Sequence, residues 1–165
     1  MNTIESIYEL QHNPFIYGRY LTSFYSELDK HEEQTILFAP LIIPICKHPY
    51  FSLKLHNAKR TSTLQTVFFQ KRTQLVDLLD HIRLFKSLTF ESIQYCLAND
   101  WLEIDDNRLN FVFNSSINSR ISPSITSVRE AKYLGILFNG KKPIEIFNFL
   151  GVAPNEVYDF RNRNY

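Results

Sequence analysis

The chain has 165 residues, 44% hydrophobic and 15% aromatic, with 14 Phe and 9 Tyr against 4 Gly. That composition reads as one folded domain over residues 1–165 with a real core, and it excludes a disordered or low-complexity chain. A formal net charge of +1 supplies no overall pull toward nucleic acid or anionic membrane. Cys46 and Cys96 lie in apolar sequence without CxxC spacing, which fits a reduced, cytoplasmic protein better than a disulfide-stapled one.

The opening MNTIESIYELQ has neither the basic nor the apolar region of a signal peptide, and residues 1–12 read as a tail. Residues 13–60 form the next segment. Asn13 followed by Pro14 predicts a capped helix start, with Ile16, Tyr20, Leu21, Phe24, Tyr25 and Leu28 on one face of a helix to about His31. TILFAPLIIPIC, Thr35 to Cys46, is 12 residues long with two prolines, well short of the roughly 20 that cross a membrane. Pro40, Pro44 and Pro49 predict short buried helical pieces over Ile36–Tyr50, with strand as the alternative.

Residues 61–113 read as a winged-helix-like core. Leu64, Val67 and Phe68 mark one helix, and Leu75, Leu78, Leu79, Ile82 and Phe85 a second. After a break near Ser87, Phe90, Ile93 and Leu97 predict the inner stripe of a third, ending near Asn99. WLEIDDNRLNF, Trp101–Phe111, then alternates as a hairpin about an acidic turn, with Leu102, Ile104, Leu109, Phe111 and Phe113 as the apolar set. Asn114–Ser124 is the longest loop. In the last segment, residues 124–158, Ser127 and Glu130 form a capping box for a helix to Phe138 closed by Gly140; Pro143 opens a helix to Leu150, Gly151 stops it, and Pro154 starts one more turn. The predicted fold class is mainly α, a winged-helix-like helical domain with one small β-hairpin.

The residues also bear on catalysis. Gly18, Gly135, Gly140 and Gly151 are isolated, so no phosphate-cradling loop forms, and no G-x-S-x-G elbow exists. Asp105 and Asp106 followed by Glu130-Ala131-Lys132 resemble a Mg²⁺ nuclease set, but that chemistry needs the E-x-K on a strand beside the aspartate. Here its periodicity is helical. Cys46, His48 and His56 lack paired zinc spacing and a fourth ligand. The sequence predicts no enzyme, metal or cofactor.

Charge is unevenly distributed. Residues 1–46 carry 2 Lys/Arg and 6 Asp/Glu, residues 47–86 carry 8 and 2, residues 87–107 carry 0 and 5, and residues 108–165 carry 8 and 4. A DNA-reading winged helix needs cations on its third helix and wing. Here the helix offers Glu91, Ser92, Gln94, Tyr95 and Asn99 as its wet face, and the wing tip Asp105 and Asp106. The candidate nucleic-acid-binding residues are therefore Lys54, Lys59, Arg60, Lys71 and Arg72, a run that reads either as a solvated face or as a nonspecific phosphate-contacting surface.

Several stretches carry a family resemblance: NPFIYGRYL (Asn13–Leu21), LFAPLIIPICKH (Leu37–His48), SLTFESIQYCLANDWLEIDDNRL (Ser87–Leu109), EAKYLGILF (Glu130–Phe138) and IFNFLGVAP (Ile146–Pro154). In order and spacing the chain resembles the middle component of the three-component ABC-ATPase systems of bacteria and archaea. It departs from the family pattern in the bulky Phe15 after the Asn-Pro pair and in the stretch Lys59–Arg72. The resemblance implies a non-enzymatic adaptor between an SMC-like ABC ATPase and an effector protein encoded by neighbouring genes, in defence against phage and mobile DNA. The alternative is a stand-alone winged-helix DNA-binding regulator.

Overall fold

The Asn13 side chain starts the first helix as predicted: its Oδ1 accepts the Phe15 N–H at 3.0 Å, and Pro14 occupies the first turn, where no amide needs a partner. In this computed structural model, which describes residues 12–116 and 127–158, α1 spans Pro14–Tyr25. It stops short of the expected His31. The amides of Glu27 and Leu28 turn back to Phe24 O and Tyr25 O, Asp29 N–H donates to Asn139 Oδ1, and Asp29 Oδ1 then accepts His31 N–H. The local Asp29–His31 bond favours a turn over continued helix, and the bond to the distant Asn139 holds the turn in place.

The proline-broken run is helical, as the first of its two readings held. A 3₁₀ turn, Thr35–Phe38, leads into α2, Ala39–Lys47, which contains Pro44, and α3 follows at Pro49–His56. The Thr35–Lys47 and Pro49–His56 segments meet at 91°. Leu41, Ile42, Ile43 and Ile45 are fully buried. No single helix among the described residues is long and apolar enough to cross a membrane.

α4, Leu64–Phe68, opens on a Thr63–Thr66 capping box. The stripe read as one helix from Leu75 to Phe85 is divided into α5, Thr73–Val76, and α6, Leu78–Leu84, with the interruption at Asp77. α7 spans Lys86–Ala98, so the break precedes Ser87. Its buried residues are Leu88, Thr89, Ser92 and Cys96, while Phe90 is 47% exposed and Ile93 and Leu97 are half-buried. The inner face is thus not the most apolar one. α1 crosses close enough at Gly18 that a Cβ there would lie 2.9 Å from Cys96 Sγ. An approach so tight admits small side chains such as Cys96 and turns the bulky stripe away.

β1, Leu102–Asp105, pairs antiparallel with β2, Asn110–Phe113, in the register Leu102↔Phe113 to Asp105↔Asn110. Leu109, expected in the strand, lies in the turn at φ 54° and is 52% exposed. Asn110 takes the inward place. Its Oδ1 accepts Thr35 N–H at 3.0 Å and its Nδ2 donates to Glu32 O, while Arg108 O and Leu109 O accept the amides of Gln34 and Ile36. The hairpin's turn end is thereby joined to the segment leading into α2.

α8, Arg129–Phe138, has Val128 at its N-cap with no side-chain cap bond. The expected Ser127–Glu130 box is absent: Val128 N–H donates to Ser23 Oγ at 2.8 Å, and Glu130 pairs instead with His56. α9, Pro143–Leu150, ends at Gly151 with φ 69°, where the amides of Gly151 and Val152 return to Asn148 O and Phe147 O. α10 is Pro154–Val157. The core centres on Phe24, Phe38 and Phe138, whose rings lie 5.3 to 5.8 Å apart. The predicted mainly helical class with a single hairpin holds among the described residues. From residue 117 to 124 the predicted long loop lies outside them.

Candidate functional site

The bend between α2 and α3 and the turn between α4 and α5 bring part of the basic segment together. Lys54 Nζ donates to Gln70 Oε1 and stands 5.6 Å from the Tyr50 ring centre; Lys71 Nζ stands 5.7 Å from the same ring. Arg72 lies 4.8 Å over Phe69, which packs on Phe149 at 4.4 Å. These rings hold the cations at defined places without neutralising them. Lys59 and Arg60 are exposed in the loop after α3, where Lys59 N–H donates to Ser62 Oγ at 2.9 Å.

Two cations of this region were missed by the sequence reading. Arg129 reaches across from α8, donating from Nε to His56 O at 2.7 Å and from Nη2 to Ala58 O at 3.2 Å, with its guanidinium 4.8 Å over Tyr133. It thus caps the carbonyl end of α3, where a positive charge is favoured. Lys47 lies 5.6 Å from Tyr17 and 5.7 Å from Tyr20. Neither stood out because Arg129 is remote in sequence and Lys47 is a lone cation beside an apolar run.

The face formed by α7 and the hairpin is acidic. Glu91 is exposed and accepts from Ser87 Oγ at 3.0 Å, and Glu103 accepts from Asn114 at 3.1 Å. Two members of the predicted wet face are not fully exposed. Ser92 is fully buried and donates to Leu88 O at 2.6 Å, and Tyr95 packs edge-on against Trp101 and Phe15. Phe15, where the resemblance leads one to expect a small residue, packs against the ring of the single Trp, 5.5 Å away. Arg108 stands 4.0 Å from Asp105 and donates to Lys30 O at 3.2 Å.

The E-x-K triplet lies on helix α8, as its periodicity predicts, and each charge has a partner: Glu130 with His56 at 2.8 Å and Lys132 with Glu27 at 3.3 Å. Cys46 and Cys96 are buried free thiols; burial pushes Cys46 well up and Cys96 up to about 12. Among the described residues, no group of three or more His, Cys, Asp or Glu side chains is placed to hold a metal ion. His48 is buried, accepts Tyr50 N–H through Nδ1 at 3.2 Å, and lies between Phe51 and His81, with ring centres 4.5 and 4.7 Å away. Desolvation, then the neighbouring His81, holds its pKa below the ordinary 6.5 against the opposing pull of Asp77.

An apolar groove of about 360 Å³ opens between α7, the 3₁₀ turn, the hairpin and α10. The stripe of α7 predicted to face the core, Phe90, Ile93 and Leu97, lines it instead.

These features define a small, mainly helical protein whose surface is divided among a basic patch backed by aromatic rings, an acidic face and an apolar groove. The family model of ABC-three component (ABC-3C) system Middle Component 3 matches residues 1–154, and the chain belongs to that family. It is thus one component of a multi-component system. Neither a curated protein nor a solved structure matched the chain.

Proposed function

We propose that this chain is a non-catalytic adaptor, linking an SMC-like ABC ATPase to an effector subunit in a cytoplasmic complex of prokaryotic defence against phage or mobile DNA. The observation that carries the reading is the family match over residues 1–154, which makes the chain a middle component. Its surface supports the role. Apolar and aromatic side chains anchor protein interfaces, and this chain exposes Leu53, Val76, Leu84 and Ile144 by more than half.

The second reading, a winged-helix DNA-binding regulator or DNA-contacting subunit, draws on the run of helices α4 to α7 followed by a hairpin. Against base reading by α7 stands its lack of any Lys or Arg from Ser87 to Ala98. Any DNA contact belongs at Lys54, Lys59, Arg60, Lys71 and Arg72 and is nonspecific.

Affinity capture of the tagged chain, coexpressed with the products of neighbouring genes, tests the adaptor role. The expected result is recovery of both the ATPase and the effector, with loss of ATPase–effector association when this chain is omitted. Gel-shift titration of the purified chain separates the readings: the adaptor gives weak binding that fades with salt, whereas sequence-selective binding of one duplex at physiological salt would establish the regulator.

A further inference from the structure

The two oppositely charged segments of the chain do not neutralise each other. Residues 47–86 carry 8 Lys/Arg against 2 Asp/Glu, and residues 87–107 carry none against 5. The ion pairs among the described residues join His56 to Glu130, Arg83 to Asp80, Arg108 to Asp105 and Lys132 to Glu27. None of them links the two segments, and none uses Lys54, Lys59, Arg60, Lys71 or Arg72. On the acidic side, Glu91, Asp100, Glu103 and Asp106 are exposed and equally outside these pairs.

The basic side continues into an apolar shelf. Arg72 lies 4.8 Å over Phe69, and Phe69 packs on Phe149 at 4.4 Å. These three, with Leu75, Val76 and Gly151, line a shallow depression of about 400 Å³. It is open: Val76 is 76% exposed, and a Cβ built on Gly151 would meet nothing within 4 Å. The rings here are engaged by cations and by each other, and the side chain left most open is aliphatic. Such a surface suits apolar side chains flanked by carboxylates better than stacked bases. The hairpin of the same chain presents that combination, with Ile104 46% and Leu109 52% exposed beside Glu103 and Asp106.

We propose that copies of this chain associate head to tail, the hairpin of one seated on the Arg72–Val76 shelf of the next. Ile104 and Leu109 meet the apolar shelf, and Glu103 and Asp106 meet Lys71 and Arg72. Exposed ion pairs are individually weak and screened by salt, so the apolar contact holds the pair and the charges set its orientation. A contact between two different surfaces leaves a shelf and a hairpin open at the ends, so association grows with concentration. The proposal is independent of the adaptor reading.

Sedimentation velocity of the full-length chain tests it. The weight-average sedimentation coefficient is expected to rise with protein concentration at low salt and to return to the monomer's at high salt. Lys71→Glu/Arg72→Glu alters only the shelf and Glu103→Lys/Asp106→Lys only the hairpin, all at exposed positions, so the melting temperature should be unchanged. Each variant alone is expected to remain monomeric. Their equimolar mixture is expected to associate, because one chain keeps an intact hairpin and the other an intact shelf. Val76→Ser, which changes no charge, should weaken self-association of the otherwise native chain several-fold. A wild-type chain that stays monomeric at low salt, or a mixture as monomeric as its two parts, would overturn the proposal. So would a shelf variant that self-associates like the wild type; if it also loses binding to a DNA duplex, the patch belongs to nucleic acid instead.

Discussion

At the scale of single residues, the sequence was most legible where a side chain acts on its own backbone. Asn13, Pro14, Pro143 and Gly151 all perform the local roles their chemistry predicts. It was least legible where a distant element decides. Glu130 had the spacing of a capping residue, yet His56 from α3 takes its carboxylate. Gly135 shows the same dependence: a Cβ there would lie 2.5 Å from Phe24 O. Gly135→Ala should therefore force α1 and α8 apart at a cost of about 1–3 kcal/mol, read as a lowered midpoint in urea unfolding. A wild-type midpoint would mean that the two helices relax freely. His48 gives a pH prediction. Its folded pKa lies below 6.5, so the unfolded chain binds the proton more readily, and the stability this group contributes is present above about pH 6.5 and lost as pH falls. Protonation at Nδ1 also removes the acceptor for Tyr50 N–H. The melting temperature should fall between about pH 7.5 and 5.5, and His48→Asn, which keeps a capping acceptor, should flatten that dependence. An equally steep fall in the variant would place the titration elsewhere.

Among the elements, the chain order of helices and hairpin was readable from periodicity and punctuation, whereas the facing of α7 was not. Phe90, Ile93 and Leu97 carry the apolar signal, but the close crossing at Gly18 gives the inner place to the face bearing Ser92 and Cys96. Volume at the crossing outweighed hydrophobicity along the helix. The basic segment shows a similar mixture. Five of its cations were visible in sequence, but only folding brings Lys54 and Lys71 to one Tyr50 ring and Arg129 to the end of α3. If the patch meets phosphate, Lys71→Gln/Arg72→Gln should weaken binding to all duplexes alike and reduce the log–log salt slope by about 0.9 for each phosphate no longer neutralised. Unchanged affinity and slope would reduce these residues to a solvated face.

For the molecule as a whole, composition marked a folded domain, and motif order marked the family that residues 1–154 match. Surface function was harder to read, because it depends on which rings and cations folding leaves outside. The acidic α7 and hairpin, the basic patch and the apolar groove together suit a subunit that works by binding other proteins. That claim is tested most directly by size-exclusion chromatography with light scattering on the three coexpressed components. The account predicts one complex containing all three, which separates into unassociated ATPase and effector when this chain is left out. An ATPase–effector complex of unchanged mass without it, or this chain eluting alone from the full mixture, would contradict the adaptor role.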